Sequence, residues 1–127
     1  MKRNLFLLLL LPLAFLSWRV SNPPAMTFTE LKYNFGFIHQ GDVVSHDFTF
    51  TNTGDEPILI TETEVACECT KIVFPQQPIA KGQTGVIKVT FDSKSAIDRQ
   101  ERTVIVKSNA ENAPVTLTFK CIVLKKK

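Results

Sequence analysis

Apolar and polar residues alternate with period two along most of the chain, and no segment carries the 3.6-residue period of an amphipathic helix. The clearest run covers 115–123. Val115, Leu117, Phe119, Cys121 and Val123 fall on one side, and Thr116, Thr118 and Lys120 on the other. Val44, Phe48 and Phe50 share a face within 43–52, opposed by Ser45, Asp47, Thr49 and Thr51. Ile87, Val89 and Phe91 oppose Lys88 and Thr90 over 86–91, and Val104 and Val106 mark a run over 102–108. Weaker runs cover 27–31, 33–38, 58–63 and 70–74. Turn chemistry lies between the runs, at Gln40-Gly41-Asp42, Thr53-Gly54-Asp55, Lys81-Gly82-Gln83 and Asn109-Ala110-Glu111-Asn112. Pro57, Pro75, Pro78 and Pro114 sit at run ends, where a missing N–H removes no ladder bond. Short strands with turns every eight to twelve residues predict an all-β, immunoglobulin-like β-sandwich of seven or eight antiparallel strands.

One run contradicts its own parity. Ile58 and Ile60 share a face, but continuing that face would bury Glu62 and Glu64. The opposite parity takes in Val65, Cys67 and Cys69. The register must therefore flip between Ile60 and Val65, through a bulge or a change of sheet. That places Cys67 and Cys69 at a corner and not in mid-ladder.

The first two dozen residues follow another logic. Lys2 and Arg3 precede a Leu/Phe-rich stretch over 5–16, interrupted only by Pro12 and Ala14. At about a dozen residues it falls short of the roughly 20 needed to span a bilayer, and the layout is that of a signal peptide. No Ala-x-Ala site follows, so a retained anchor is the alternative. No cysteine follows the stretch either, so lipoprotein-type attachment is not expected. The expected organisation is a signal or anchor with a short polar, Pro-rich linker over 1–25, one domain over 26–124, and a basic tail at 125–127. Both alternatives place the domain outside the cytoplasm, in the periplasm or cell envelope. Contact with the membrane is expected only through the N-terminal segment, if it is uncleaved.

Removing that segment changes the charge. Three of the 15 basic residues, Lys2, Arg3 and Arg19, go with it, leaving 12 basic against 12 acidic side chains. Three of the remaining basic residues form the tail, Lys125, Lys126 and Lys127, so no basic face remains to neutralise phosphates and a nucleic-acid partner is excluded.

Export also changes what the cysteines mean, because disulfides persist in oxidising compartments. Cys67, Cys69 and Cys121 are the disulfide candidates, and an odd count leaves one thiol over. A Cys67–Cys69 bridge needs a turn, because residues two apart on a regular strand lie near the limit of disulfide Cα spacing. Its small ring is worth only about 1.5 kcal/mol in loop entropy, whereas a loop of about fifty residues closed by Cys121 is worth roughly 4 kcal/mol. Against the second bridge, Cys121 falls among core positions, where a cysteine serves as a small apolar residue. The third reading is a metal site on Cys67 and Cys69, since two thiolates suit a soft ion. No spacing gathers further ligands from His39, His46 or the nearby acids.

Other chemistry is thin. His39 lies in a predicted loop, and His46 near the start of its strand; both read as partly exposed structural histidines. Glu62, Glu64 and Glu68 read as a solvated acidic stretch. The chain contains no Gly-x-Ser-x-Gly elbow and no phosphate-cradling Gly-rich loop before a helix. No nucleophile–base pair can be named, so an enzyme is not expected and no cofactor is assigned.

The ordered series Phe35-Gly36-Phe37-Ile38, Phe48-Thr49-Phe50-Thr51-Asn52-Thr53-Gly54, Pro57-Ile58-Leu59-Ile60, Cys67-Glu68-Cys69-Thr70, Lys81-Gly82 and Val89-Thr90-Phe91-Asp92 closely resembles a secreted family of Bacteroidetes-type bacteria, the domain of unknown function 1573. The resemblance covers nearly the whole chain after the leader. It implies an immunoglobulin-like sandwich related to adaptor modules of cilium and centrosome proteins and to the major sperm protein. It carries no activity with it. Glu68 stands where that family has Gly, which makes a tight Cys-x-Cys ring less easy to close. Lys81 stands where it usually has Pro.

The function expected is a protein-interaction or structural module of the envelope. The partner expected is another envelope protein or a second copy, met through a sheet edge. The alternative is a thiol-based metal-binding or redox factor centred on Cys67 and Cys69.

Overall fold

The computed structural model describes residues 20–126, so the predicted leader over 1–19 and Lys127 lie outside the described residues. Eight strands and no helix follow in order: β1 (Met26–Phe28), β2 (Lys32–His39), β3 (Val43–Asn52), β4 (Ile60–Val65), β5 (Thr70–Val73), β6 (Thr84–Asp92), β7 (Asp98–Ser108) and β8 (Val115–Leu124). They form two four-stranded sheets, β1-β3-β6-β5 and β2-β8-β7-β4.

The alternation read from the sequence is the alternation that is buried. Phe48 and Phe50 of β3, Ile87, Val89 and Phe91 of β6, Val104 and Val106 of β7, and Leu117, Phe119 and Val123 of β8 fill the space between the sheets. Phe91 and Phe119 meet across it with ring centroids 5.4 Å apart, and Phe35 meets Phe119 edge-on at 5.6 Å. Burying a side chain of this size contributes about 1.5–3 kcal/mol, so these positions dominate the stability of the domain.

Three details differ from the expectation. First, one strand pair is parallel: β2 runs alongside β8 in the same direction. β1 and β2 are nearly one extended segment, antiparallel to β3 while it lies in the first sheet. After crossing to the second sheet through Thr29–Leu31, the same direction is parallel to β8. Alternation along single strands carries no information on direction, so all-antiparallel pairing was the wrong default. Second, β4 starts at Ile60, and Ile58 instead forms an isolated bridge with Ile79. The register slips between Ile60 and Glu62, within the interval where the parity conflict required it. Third, β7 begins four residues early, at Asp98.

β2 also carries an irregularity, between Asn34 and Phe37. Gly36 takes a φ of 75° there, and its N–H donates to Asn34 Oδ1 at 2.9 Å. The bulge turns Phe37 outward, where it is 71% exposed.

Both sheets end on the same flank in short strands, β5 and β4. The corner that joins them in sequence contains Cys67 and Cys69.

Candidate functional site

Past Val65 the chain leaves the second sheet, turns, and enters the first at Thr70. The turn closes with a Thr70 N–H to Cys67 O hydrogen bond of 3.2 Å and is fastened to β6 by Asp92 N–H donating to Cys69 O at 2.9 Å. Turning brings the Cα atoms of Cys67 and Cys69 to 5.2 Å, and their sulfurs are bonded to each other. Glu68 spans the ring without a positive φ, since Asp98 is the one non-glycine residue of that kind among the described residues. The ring thus closes with Glu68 where the family has glycine.

The bridge forms one wall of a groove of about 520 Å³, with Val43, Lys71, Thr90, Asp92 and Lys94 around it. Both cysteines are partly exposed. Cys69 N–H donates to Cys67 Sγ at 3.2 Å, and Thr70 Oγ1 lies 3.9 Å from Cys69 Sγ. With the sulfurs bonded to each other, neither is a thiolate, and no group of three metal-ligating side chains occurs among the described residues.

Cys121 is a free, buried thiol. The long-loop bridge that loop entropy favours is not formed, because β8 holds Cys121 in the core layer between Phe119 and Val123. Burial pushes its thiol above the ordinary value, with nearby Arg102 opposing the shift.

The remaining candidates do not join this site. His46 stacks on Tyr33 with ring centroids 3.5 Å apart, and its Nε2 meets Glu30 Oε1 at 2.5 Å. This cluster closes the β2–β3 flank, away from the cysteines. His39 is exposed near Asp42. Glu64 and Glu62 lie 2.5 Å and 3.8 Å from Lys107 Nζ on the outer face of the second sheet, and Glu64 foremost raises the Lys107 pKa. The acids that share a cleft with the cysteines are Glu68 and Asp92, on the walls of the groove, which Lys71 and Lys94 also line.

Sequence reasoning missed the groove's other walls. Lys71, Thr90, Asp92 and Lys94 come from three segments that meet only once the sheets form. It also missed two buried polar anchors. Asn52 Nδ2 donates to Glu56 O and Ile79 O at 2.7 and 2.9 Å, while its Oδ1 accepts from Gly54 N–H at 3.0 Å. Ser93 Oγ donates to Asp42 O and His39 O at 2.7 and 3.1 Å. For Asn52 a signal was present, because it shares the inward parity of Phe48 and Phe50.

Four solved structures of similar shape, each below 20% identity, speak to the fold. A protein of unknown function from Porphyromonas gingivalis W83 superposes with a TM-score of 0.71 at 13% identity, over 86% of this chain and 51% of that one. The PapD-like domain 7 of human CEP192 gives 0.62 at 9% identity, over 92% and 99%. The YadV chaperone gives 0.55 at 10% identity, over 77% and 51%. The secreted serine protease VesC from Vibrio cholerae gives 0.62 at 18% identity, over 79% of this chain but 23% of that one. The chain thus spans about half or less of the length of the first solved structures it matches. No curated protein matches it in sequence. A family model matches residues 26–123, from the first residue of β1 to the last core residue of β8, and the chain belongs to that family, the proteins of unknown function DUF1573.

Proposed function

We propose that this protein is an exported interaction module of the bacterial cell envelope, which docks an extended segment of another envelope protein on the outer edge of β4 and turns over no substrate. The open edge of β4 carries the reading. β4 is the terminal strand of its sheet, and among the described residues its outer side pairs with no other strand. The other edges are less suited to a new strand. β1 has three residues, β5 has four and runs into Pro75, and the bulge at Gly36 divides β2 in mid-strand, whereas the slip in β4 falls at its start and leaves Glu62–Val65 regular. Unpaired N–H and C=O groups along an edge are a ready template for an incoming strand.

Charge selects the partner. Two copies of β4 pairing antiparallel, with their faces preserved, must set a Glu of one copy against a Glu of the other. Like charges directly opposed destabilise a strand pair. The expected occupant is therefore another chain, with Lys or Arg at its outward positions to meet Glu62 and Glu64. Export is supported by the leader pattern and by the Cys67–Cys69 disulfide, a bond that persists in oxidising compartments. PapD-like and chaperone folds among the similar structures support an interaction role. Against turnover, Glu62 and Glu64 are engaged by Lys107, and the groove that Glu68 and Asp92 share has no histidine in its lining.

The test is photocrosslinking in intact cells, with a photoreactive side chain at Thr63 of β4 or at Lys88 on the outer face of the first sheet. One discrete adduct from Thr63, absent from Lys88 and weakened by Glu62→Gln with Glu64→Gln, is the expected result. An adduct from Lys88 alone, or a homodimer from Thr63, overturns the edge assignment. Recovery of the protein in the cytoplasmic fraction overturns export.

A further inference from the structure

We infer that the Cys67–Cys69 disulfide is a thiol-exchange site, at which a cysteine of an exported protein is captured as a mixed disulfide on Cys69. This inference does not depend on the β4 edge.

Four observations carry it. The bridge is partly exposed and walls a groove of about 520 Å³, so a peptide thiol can approach it from solvent. Its ring encloses a single residue, Glu68. Such a ring restricts the unfolded chain little, so opening it removes little from the fold, unlike a bridge that closes a long loop. The corner is also held by bonds that do not involve sulfur, from Thr70 N–H to Cys67 O and from Asp92 N–H to Cys69 O. Finally, the two sulfurs are not equivalent. Cys67 Sγ accepts the Cys69 N–H at 3.2 Å, a donor placed to stabilise a thiolate on Cys67. A hydrogen bond to a charged sulfur is worth more than one to a neutral sulfur, so Cys67 is the better leaving group.

The step balances without an outside oxidant. The partner's thiol first loses its proton to solvent. Its thiolate then attacks Cys69 Sγ, forming a new S–S bond while the Cys67–Cys69 bond breaks and its electron pair leaves on Cys67. One disulfide is consumed and one is made. Return of the Cys67 thiolate to Cys69 Sγ releases the partner and restores the ring. Lys71 and Lys94 on the groove wall favour approach of a thiolate, and Glu68 and Asp92 offset their charge, so a peptide of no strong net charge is the preferred class.

Cys121 supplies an internal clock. It is buried, its thiol is held protonated by desolvation, and it becomes reactive only when the core opens. The experiment incubates the oxidised mature protein with reduced glutathione under native conditions, quenches timed samples with excess maleimide, times labelling of Cys121 in a parallel incubation with maleimide alone, and follows each cysteine by peptide mass. The expected result is opening of the Cys67–Cys69 ring at least about tenfold faster than labelling of Cys121, with glutathione on Cys69. Cys67→Ser, given oxidised glutathione, should take one glutathione onto Cys69 with release of reduced glutathione, and hold it, because no Cys67 thiolate remains to expel it. If ring opening keeps pace with Cys121 labelling, the bridge is reached only through unfolding and the exchange site is refuted. Glutathione found mainly on Cys67 refutes the assignment of the attacked sulfur. Labelling of all three cysteines before any reductant is added shows that no bridge exists and refutes the inference entirely.

Discussion

Asn52 shows how one side chain can hold several segments. It is fully buried, and its amide joins Glu56 O, Ile79 O and Gly54 N–H, with a longer contact of 3.4 Å to Ala25 N–H. Removing the amide takes the donor from Glu56 O and the acceptor from the buried Gly54 N–H, while Ile79 O keeps only the Ile58 N–H, and a buried group left unpaired costs its desolvation. Asn52→Ala is expected to destabilise the domain by about 2–4 kcal/mol, read as a shift of the urea midpoint without change of slope. A loss under about 0.5 kcal/mol would mean that water replaces the amide there. Asn52 also marks what single residues reveal in sequence. The Asn-Thr-Gly string announces a turn, and the inward parity of Asn52 announces burial, but the carbonyls it serves lie four and 27 residues away and cannot be read from the string. The cysteines divide in the same manner. Parity placed Cys121 in the core correctly, whereas the closure of Cys67 on Cys69 depends on a turn whose backbone bonds become visible only with β6 in place.

At the scale of elements, the hydrophobic period located all eight strands, because each strand buries one face and the burial is written locally. Strand direction and edge identity are set by partners far along the chain, so neither the parallel β2–β8 pair nor the open edge of β4 was legible. The bulge in β2 lies between these cases. Phe35-Gly36-Phe37 gave the residues, but period two alone would have assigned both aromatics to one face. In the structure Phe35 packs toward Phe119 while Phe37 faces solvent, and Gly36 absorbs the irregularity at a φ of 75°. A Cβ on Gly36 would meet nothing within 4 Å, so the cost of replacing it is conformational and not steric. Gly36→Ala should cost about 1 kcal/mol and Gly36→Asn less, since Asn tolerates the left-handed region. Chemical denaturation of the two variants checks the order. Equal losses would show that the bulge relaxes to a regular strand, which would also extend the edge of β2 and weaken the preference for β4 as the docking edge.

The whole molecule is polar along its strands. One end carries the β2–β3 turn, pinned to the β6–β7 connection by Ser93, and the Cys67–Cys69 corner, held to β6 by Asp92 N–H. The other end carries the entry of the chain. Residues 21–25, expected as a short linker, are bonded onto the domain through their backbone: Glu111 N–H donates to Pro24 O at 2.7 Å, Asp55 N–H to Asn22 O at 3.1 Å, and Asn22 N–H to Asp55 Oδ2 at 2.8 Å. Gly54 permits the approach, since a Cβ there would lie 2.0 Å from Pro23 O. The exchange groove lies at the opposite end from this entry. The entry end should also be its acid-sensitive end. Lys81, 2.7 Å from Asp55, and then the Asn22 N–H hold the Asp55 carboxyl below its ordinary value of 3.8. A lowered folded value means that the contribution is complete above 3.8 and is lost as pH falls through the lowered value. The Asn22 amide resonance should therefore titrate with a midpoint below 3.8, and Asp55→Asn should abolish that titration while leaving the core resonances in place. A midpoint at or above 3.8 would mean that the Asp55 carboxyl gains nothing from Lys81 or Asn22 in solution, and that the entry segment is held by its backbone bonds, from Asp55 N–H to Asn22 O and from Glu111 N–H to Pro24 O.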